Sequence, residues 1–426
     1  MRHWHSVERL SAPSLEGAGG WSLVALLGAY FLMTMQNRVA LIGSGVDCWP
    51  ALGVCVVIAF VASGVAVWRL RPARPYLRPV EATATLALAA MVVTDLTMNY
   101  QPLRDLGIYL KAGGHYLAGA PVYLQTPMTA RPADLTNYPF LYPPLTLPGF
   151  AVLSVLPTPL AQALWLGASA ALGLGALRVI GVRWRWLAFA ALWPPLFQGL
   201  WVGNVAVPAL ALFALGPWLG GGLVAGAVFK SYTGIASLWL VRERRWRGLF
   251  WGAAVVAGLA VITLPLTGTG LWNAWIKGLE FYQTSQQNVP SLYGFGLPKF
   301  VPLWVFLALA AASIVAALAA TGREGLARFG TATVVSSPSL WGHGLLVAVP
   351  SMVSLRTPWL WLAIGITAAP DGLQWWWAIV LIAASWLLPA LCRPEAPEGA
   401  RSAADPMDLL GSASGPWMAQ RGPGAG

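Results

Sequence analysis

The chain is poor in charge and in cysteine. Asp, Glu, Lys and Arg make up 10% of its 426 residues, where a soluble globular chain carries about 25%. An ordinary soluble domain is therefore excluded. The three cysteines are Cys48, Cys55 and Cys392. An odd, scattered set supports neither a disulfide framework nor a metal-ligand spacing. Neither long polar loop holds a D-x-D pair, and there is no H-E-x-x-H or P-loop. G-x-G-x-x-G is absent as a strand-to-helix element. A metal cluster or a soluble nucleotide site is unsupported, so no metal and no cofactor is expected.

Apolar residues are abundant: 57% of the chain is hydrophobic and the mean hydropathy is +0.64. Runs near the ~20 residues needed to cross a bilayer recur along the length. The fold class expected is all-α, a polytopic transmembrane bundle of about 11–13 membrane segments. Spans are expected to begin near Trp21, Pro50 and Val80. Further apolar runs start near Leu145, Leu160, Trp186, Val205, Leu223, Leu249, Val301, Thr331, Pro358 and Trp375. The 24 Trp residues mark interfaces by default. Residues 1–20 form a polar tail without the layout of a cleaved signal peptide, and they are expected to stay attached and cytoplasmic. Residues 21–79 read as a two-span segment, 80–392 as the membrane core, and 393–426 as a disordered tail.

The net charge is +11. The arginines concentrate in four short stretches, 69–78, 178–185, 242–247 and 323–328. The positive-inside rule places these in the cytoplasm and reads them as topology and lipid headgroup contact, not nucleic-acid binding. Two polar, aromatic-rich stretches, 99–144 and 267–299, then lie outside. A loop as long as the first is functional or disordered. Its Tyr, Pro and Gly content, with few Ser or Glu, argues for function. The parity fails twice: runs 145–156 and 160–177 are one too many, as are the three between 186 and 240. Some runs must be broken or re-entrant, which is tolerated only where they line a cavity.

Few ionisable groups lie in or near the apolar runs, and each is informative for that reason. Asp105 opens the long outer stretch and suits general-base work on a hydroxyl; its bland reading is a helix cap or solvated acid. Asp95 is an alternative acid, paired with Arg104 or reaching the interface. Lys230 lies inside an apolar run, where it either binds a phosphate as a point charge or snorkels. His343, in SSPSLWGHGLLVAVP, sits in a segment whose Ser, Pro and Gly suggest a broken, cavity-lining helix. Glu280 lies in the second outer stretch.

The run DLGIYLKAGGHYLAGAPVY followed by YPP resembles the outer loop of glycosyltransferase family 87, polyprenyl-phosphate-sugar-dependent enzymes of the GT-C type. The matching residues are Asp105, Tyr109, Ala112, Gly119, Tyr123 and Tyr142-Pro143-Pro144. Three later pieces agree in order. WVGNVAVPALAL matches at Asn204. GLVAGAVFKSYTGIASLWLVRERRWRG matches at Lys230, without the usual following prolines. SSPSLWGHG matches at Ser337, Pro338, Trp341 and His343, with Gly344 in place of a second His, Leu340 of a Ser and Gly342 of an Asp.

The resemblance implies inverting transfer of a sugar, mannose or else arabinofuranose, from a polyprenyl-phosphate donor to a hydroxyl of an envelope glycolipid or glycan. The partners implied are that donor, that acceptor and membrane lipids, with no nucleic acid. Asp105 would be the base. Lys230, His343, Arg104 and Lys111 would meet the phosphate. Tyr109, Tyr123, Tyr142, Asn204 and Trp341 would complete the substrate site. The setting implied is a bacterial cytoplasmic membrane, with the site on its outer face. Readings of another class are a transporter or flippase for lipid-linked sugars, which internal repeats would favour, and an inactive scaffold.

Overall fold

The structure is a computed structural model. It describes residues 102–182, 187, 190–191, 193–355, 357–367, 372–388 and 391–392. The starts near Trp21, Pro50, Val80 and Trp186, the basic stretch 69–78, Asp95 and both tails lie outside the described residues. Among the described residues the fold is all-helical, with fourteen α-helices.

The long polar stretch opens with a helix, α1 (Arg104–Leu117). Its buried residues, Asp105, Leu106, Tyr109, Ala112 and Gly113, recur at the three-to-four spacing of one helix face. That face packs on α2 (Leu147–Ser154), where a Cβ at Gly113 would strike the Phe150 carbonyl. The remainder of the stretch is coil with two short 3₁₀ turns, held by an aromatic cluster. Tyr109 stands edge-on to Tyr142 at 5.3 Å and tilted against Phe150 at 4.9 Å. Phe140 meets Tyr142 at 5.3 Å.

Next come α3 (Thr158–Ile180), α4 (Pro194–Trp201), α5 (Ala206–Ala214), α6 (Gly216–Leu219) and α7 (Gly221–Phe229). The α7 helix ends at Lys230, which takes an extended backbone. A 3₁₀ turn, Ser231–Ser237, folds back against α7 and runs into α8 (Leu238–Arg242). Thr233 fixes the reversal, its Oγ donating to the Lys230 carbonyl at 2.7 Å.

The longest helix, α9 (Trp246–Asn288), has 43 residues. It is two helices joined at Gly268, whose φ of 67° and ψ of 159° are not helical. In the first half, Gly248 and Gly252 lie against Gly220 and Gly221 at the start of α7. This is the small-xxx-small approach by which backbones pack without large side chains. The second half carries the loop of the long stretch: Trp275 Nε1 donates to Leu141 O at 3.1 Å, and Met128 N to Ser285 Oγ at 2.5 Å.

The chain closes with α10 (Leu303–Leu318), α11 (Gly322–Val335), a 3₁₀ turn Gly342–Ala348, α12 (Val349–Ser354), α13 (Thr357–Thr367) and α14 (Trp375–Leu387). The main core gathers Leu196, Val207, Leu210, Phe213, Trp239, Phe329 and Leu346 from these helices.

Among the described residues, two helices are long and apolar enough to cross a membrane, Thr158–Ile180 and Trp246–Asn288. Large apolar side chains are exposed along them and along α10 and α14, among them Leu164, Phe250, Ile262, Trp304, Val315 and Trp377. Most other apolar runs form shorter pieces. The run at 145 yields the eight-residue α2, about 12 Å long. Between 193 and 242 the described residues form α4 to α8, each nine residues or fewer. Proline and glycine at their ends (Pro194, Gly216, Gly220) account for the breaks.

The turn after α9 shows how closely the chain is fitted. Gly294 has φ 58°, and a Cβ there would collide with the Leu340 carbonyl and the Trp341 indole. The two segments exchange backbone hydrogen bonds, Phe295 N to Leu340 O at 2.8 Å and Leu340 N to Tyr293 O at 3.1 Å. Gly294→Ala should lower stability by about 1–3 kcal/mol. Gly258→Ala in α9, where a Cβ meets nothing within 4 Å, should leave stability unchanged or raise it. Thermal unfolding in detergent compares the two, and equal midpoints would contradict this reading of the turn.

Candidate active site

A cavity of about 600 Å³ lies among α1, the loop before α2, the start of α5, the end of α7, the second half of α9 and the turn before Gly342. That is the size of a small-molecule pocket. Asp105, Arg104, Tyr109, Tyr142, Asn204, Lys230, Trp341 and His343 all line it. Two residues named from sequence do not. Lys111 is exposed, beyond Tyr109 along α1, and donates its Nζ to Asn137 Oδ1. Tyr123 is buried in the aromatic cluster and donates its hydroxyl to Tyr142 O at 3.0 Å. Each supports the loop instead of facing the cavity. Glu280 is exposed and off the cavity as well.

Asp105 is 6% exposed. Its Oδ1 accepts from Arg104 Nε at 2.8 Å and its Oδ2 from Asn204 Nδ2. The backbone positions it as firmly. Leu103 N donates to Trp201 O at 2.7 Å, and Asp105 N to Val202 O at 2.8 Å. The first turn of α1 thus uses the carbonyls at the end of α4. Gly203 follows with φ 71°, where a Cβ would press on Leu106 Cβ at 3.0 Å. Its carbonyl accepts from Trp165 Nε1 at 2.9 Å.

Asn204 faces two ways. Its Oδ1 accepts from Ala206 N at 2.8 Å, satisfying an amide at the start of α5, and its Nδ2 reaches Asp105. A carboxylate offers about four lone-pair sites. The Arg104 and Asn204 bonds leave acceptor capacity on Asp105, and that residue lines the cavity.

Tyr109 bridges the base of the site. Its hydroxyl accepts from Val205 N at 3.4 Å and lies 3.1 Å from the Tyr142 hydroxyl. Burial first, then the neighbouring Tyr142 and Asp105, push the Tyr109 phenol well above its usual range, so it stays a neutral hydrogen-bonding group. Burial likewise pushes up the Tyr123 phenol. Outside the cavity, Asp134 accepts from the backbone and side chain of Thr136, which holds its carboxyl below the usual range.

Lys230 and His343 come from elements 113 positions apart in sequence yet share the cavity. His343 lies close enough to Lys230 and Arg104 to feel the charge of both. His343 is buried, and its Nδ1 has no hydrogen-bond partner. Beside it, Gln198 occupies the space a side chain at Gly342 would need. Gln198 was not singled out from sequence; nothing in PPLFQGLW distinguishes it from an ordinary helical amide. Tyr138, Tyr282 and Gln286 also line the cavity and were missed. The last two sit four residues apart on one face of α9, a spacing that becomes a signal only once that stretch is known to be helical.

A model of glycosyltransferase family 87 matches residues 140–347. The match takes in Tyr142, Asn204, Lys230, Trp341 and His343, and Asp105 lies ahead of it. No curated protein and no solved structure matches the chain. The family match carries sugar transfer between a donor and an acceptor, and agrees with the resemblance read from the motifs.

Asn204→Ala removes a donor to Asp105 and the acceptor for Ala206 N together. It should cost about 1–3 kcal/mol. Lys111→Ala removes an exposed hydrogen bond and should stay within about 0.5 kcal/mol. Chemical denaturation of the two variants beside wild type checks the contrast, and an unaffected Asn204→Ala would contradict the described role.

Proposed function

We propose that this family 87 glycosyltransferase moves a sugar from a polyprenyl-phosphate carrier to a hydroxyl of an envelope glycolipid or glycan, with inversion. The observation that carries the proposal is the convergence of Asp105, Lys230 and His343 on one cavity within a chain matched to the family. A carboxylate that accepts a proton, and cations or hydrogen-bond donors that meet phosphate, are what such a transfer needs on either side of the reacting carbon.

In the reaction, the acceptor oxygen attacks the anomeric carbon. Its proton passes to Asp105. The bond from the anomeric carbon to the phosphate oxygen breaks, its electron pair stays with that oxygen, and polyprenyl phosphate leaves. Negative charge grows on the phosphate as the bond lengthens. Lys230, His343 and Arg104 are the groups of the cavity suited to meet it. The donor is a mannosyl lipid, with an arabinofuranosyl lipid as the alternative within the family.

The setting proposed is a bacterial cytoplasmic membrane, with the cavity at the outer face. Two groups of contacts support that orientation. The basic stretch 242–247 meets the chain just ahead of the basic stretch 323–328: Glu243 Oε1 accepts from Gly322 N at 2.8 Å, and Arg242 Nε donates to Leu318 O at 2.7 Å. The polar stretches 105–144 and 268–288 meet beyond the first half of α9, through Trp275 and Ser285. The residues of α9 before Gly268 span about 33 Å, enough to separate the two ends by a bilayer. The reversal at Lys230 would be re-entrant and would bring its ammonium to the cavity. With α2 lying at the outer surface and α3 as one crossing, the basic stretch that begins at 178 falls on the inner side.

Membranes containing the protein should transfer radiolabel from synthetic polyprenyl-phosphate-mannose, or from the arabinofuranosyl donor, into extracted membrane lipid. Asp105→Asn should reduce transfer by about 100-fold or more, the scale of general-base catalysis. Equal transfer by both forms would remove Asp105 as the base. No transfer from either donor by wild type would reject the proposal.

A further inference from the structure

Among the groups of the cavity that have no place in the chemistry above, three stand together. Tyr138 lies in the loop before α2, and its hydroxyl is buried with no hydrogen-bond partner. Gln286 lies in the second half of α9 and is 5% exposed. Tyr282, one turn before it, donates its hydroxyl to Leu292 O at 3.3 Å and lies near Tyr138. All three line the cavity with Asp105 and Lys230.

An orphaned phenol in a protein interior is costly unless a ligand supplies its partner. A phenol both donates and accepts, and a carboxamide offers two donors and an acceptor. Together they match the vicinal hydroxyls of a sugar ring, each of which also donates and accepts. A phosphate would use only their donors and leave the carboxamide oxygen unpaired, and a polyprenyl chain offers no polar atom. The aromatic faces of Tyr138 and Tyr282 add apolar surface for the carbon side of a ring.

We infer that Tyr138 and Gln286 form the subsite that reads the hydroxyls of the transferred sugar, and so decide which donor the enzyme accepts. The inference rests on the function proposed above. In that reaction the sugar must lie between the acceptor oxygen at Asp105 and the phosphate at Lys230 and His343. It therefore occupies the body of the same cavity, whose polar wall includes these residues together with Gln283, Tyr293 and Ser339. A site that hydrogen-bonds a substrate hydroxyl discriminates strongly against ligands lacking it, because its own buried groups are then left unpaired.

The test measures binding of three probes to the detergent-solubilised full chain: polyprenyl-phosphate-mannose, polyprenyl-phosphate-arabinofuranose and bare polyprenyl phosphate of the same length. Wild type should bind at least one sugar-bearing lipid about 10-fold or more tighter than the bare lipid. Tyr138→Phe, which keeps the ring, and Gln286→Met, which keeps the volume, should each reduce that ratio by about 5- to 50-fold. Both should bind the bare lipid within about two-fold of wild type, which also shows that they are folded. Variants that keep the wild-type ratio would overturn the inference, as would a wild type that binds sugar-bearing and bare lipids equally. A wild type that binds none of the three would instead overturn the function on which the inference rests.

Discussion

The buried carboxylate of Asp105 joins two stretches of chain 99 residues apart, and the cavity depends on that junction. Arg104 and Asn204 hold its oxygens, while the amides of Leu103 and Asp105 take the last carbonyls of α4. The first turn of α1 thereby closes the end of another helix. Removing the carboxylate's partners would leave a buried charge uncompensated, which costs far more than the pair contributes. The same bonds that settle the local structure also hold the oxygens at a fixed place on the cavity wall, as catalysis by a positioned group requires.

Everything else that shapes the cavity is built out from this point. Tyr109, one turn along α1, brings in Tyr142, Phe140 and Phe150, and so fixes the loop that carries Tyr138. That loop rests on the second half of α9 through Trp275 and Ser285. The break at Gly268 lets one helix change direction from an apolar half to a half that meets the loop. On the far side, the strained turn at Gly294 pairs with Leu340 and delivers Trp341 and His343. About half of the cavity wall is thus irregular backbone, and these segments are tied by hydrogen bonds to their neighbours. This is the condition under which broken helices persist in an apolar setting.

Much of this was legible in the sequence. Asp105 stood out because an acid at the edge of an apolar run needs a reason. Lys230 and His343 stood out on the same ground, and the excess of apolar runs over what the basic stretches allow pointed to broken segments. The short helices α2 and α4 to α8 are the form those breaks take. What hydropathy could not convey was direction. Lys111 and Tyr123 share the motif with Asp105, yet they point to Asn137 and Tyr142 O, because the face of α1 that reaches the cavity is set by packing on α2. Tyr138, Gln198, Tyr282 and Gln286 were invisible for the complementary reason. They are common residue types whose meaning comes from where distant segments bring them.

The central claim is that one cavity holds the base and the phosphate together. An experimental structure of the full chain with bound polyprenyl phosphate tests it most directly. The account predicts phosphate density against Lys230 and His343, with the Asp105 carboxylate facing the same cavity and still bonded to Asn204. Phosphate bound outside the cavity, or an Asp105 turned away from it, would contradict the account.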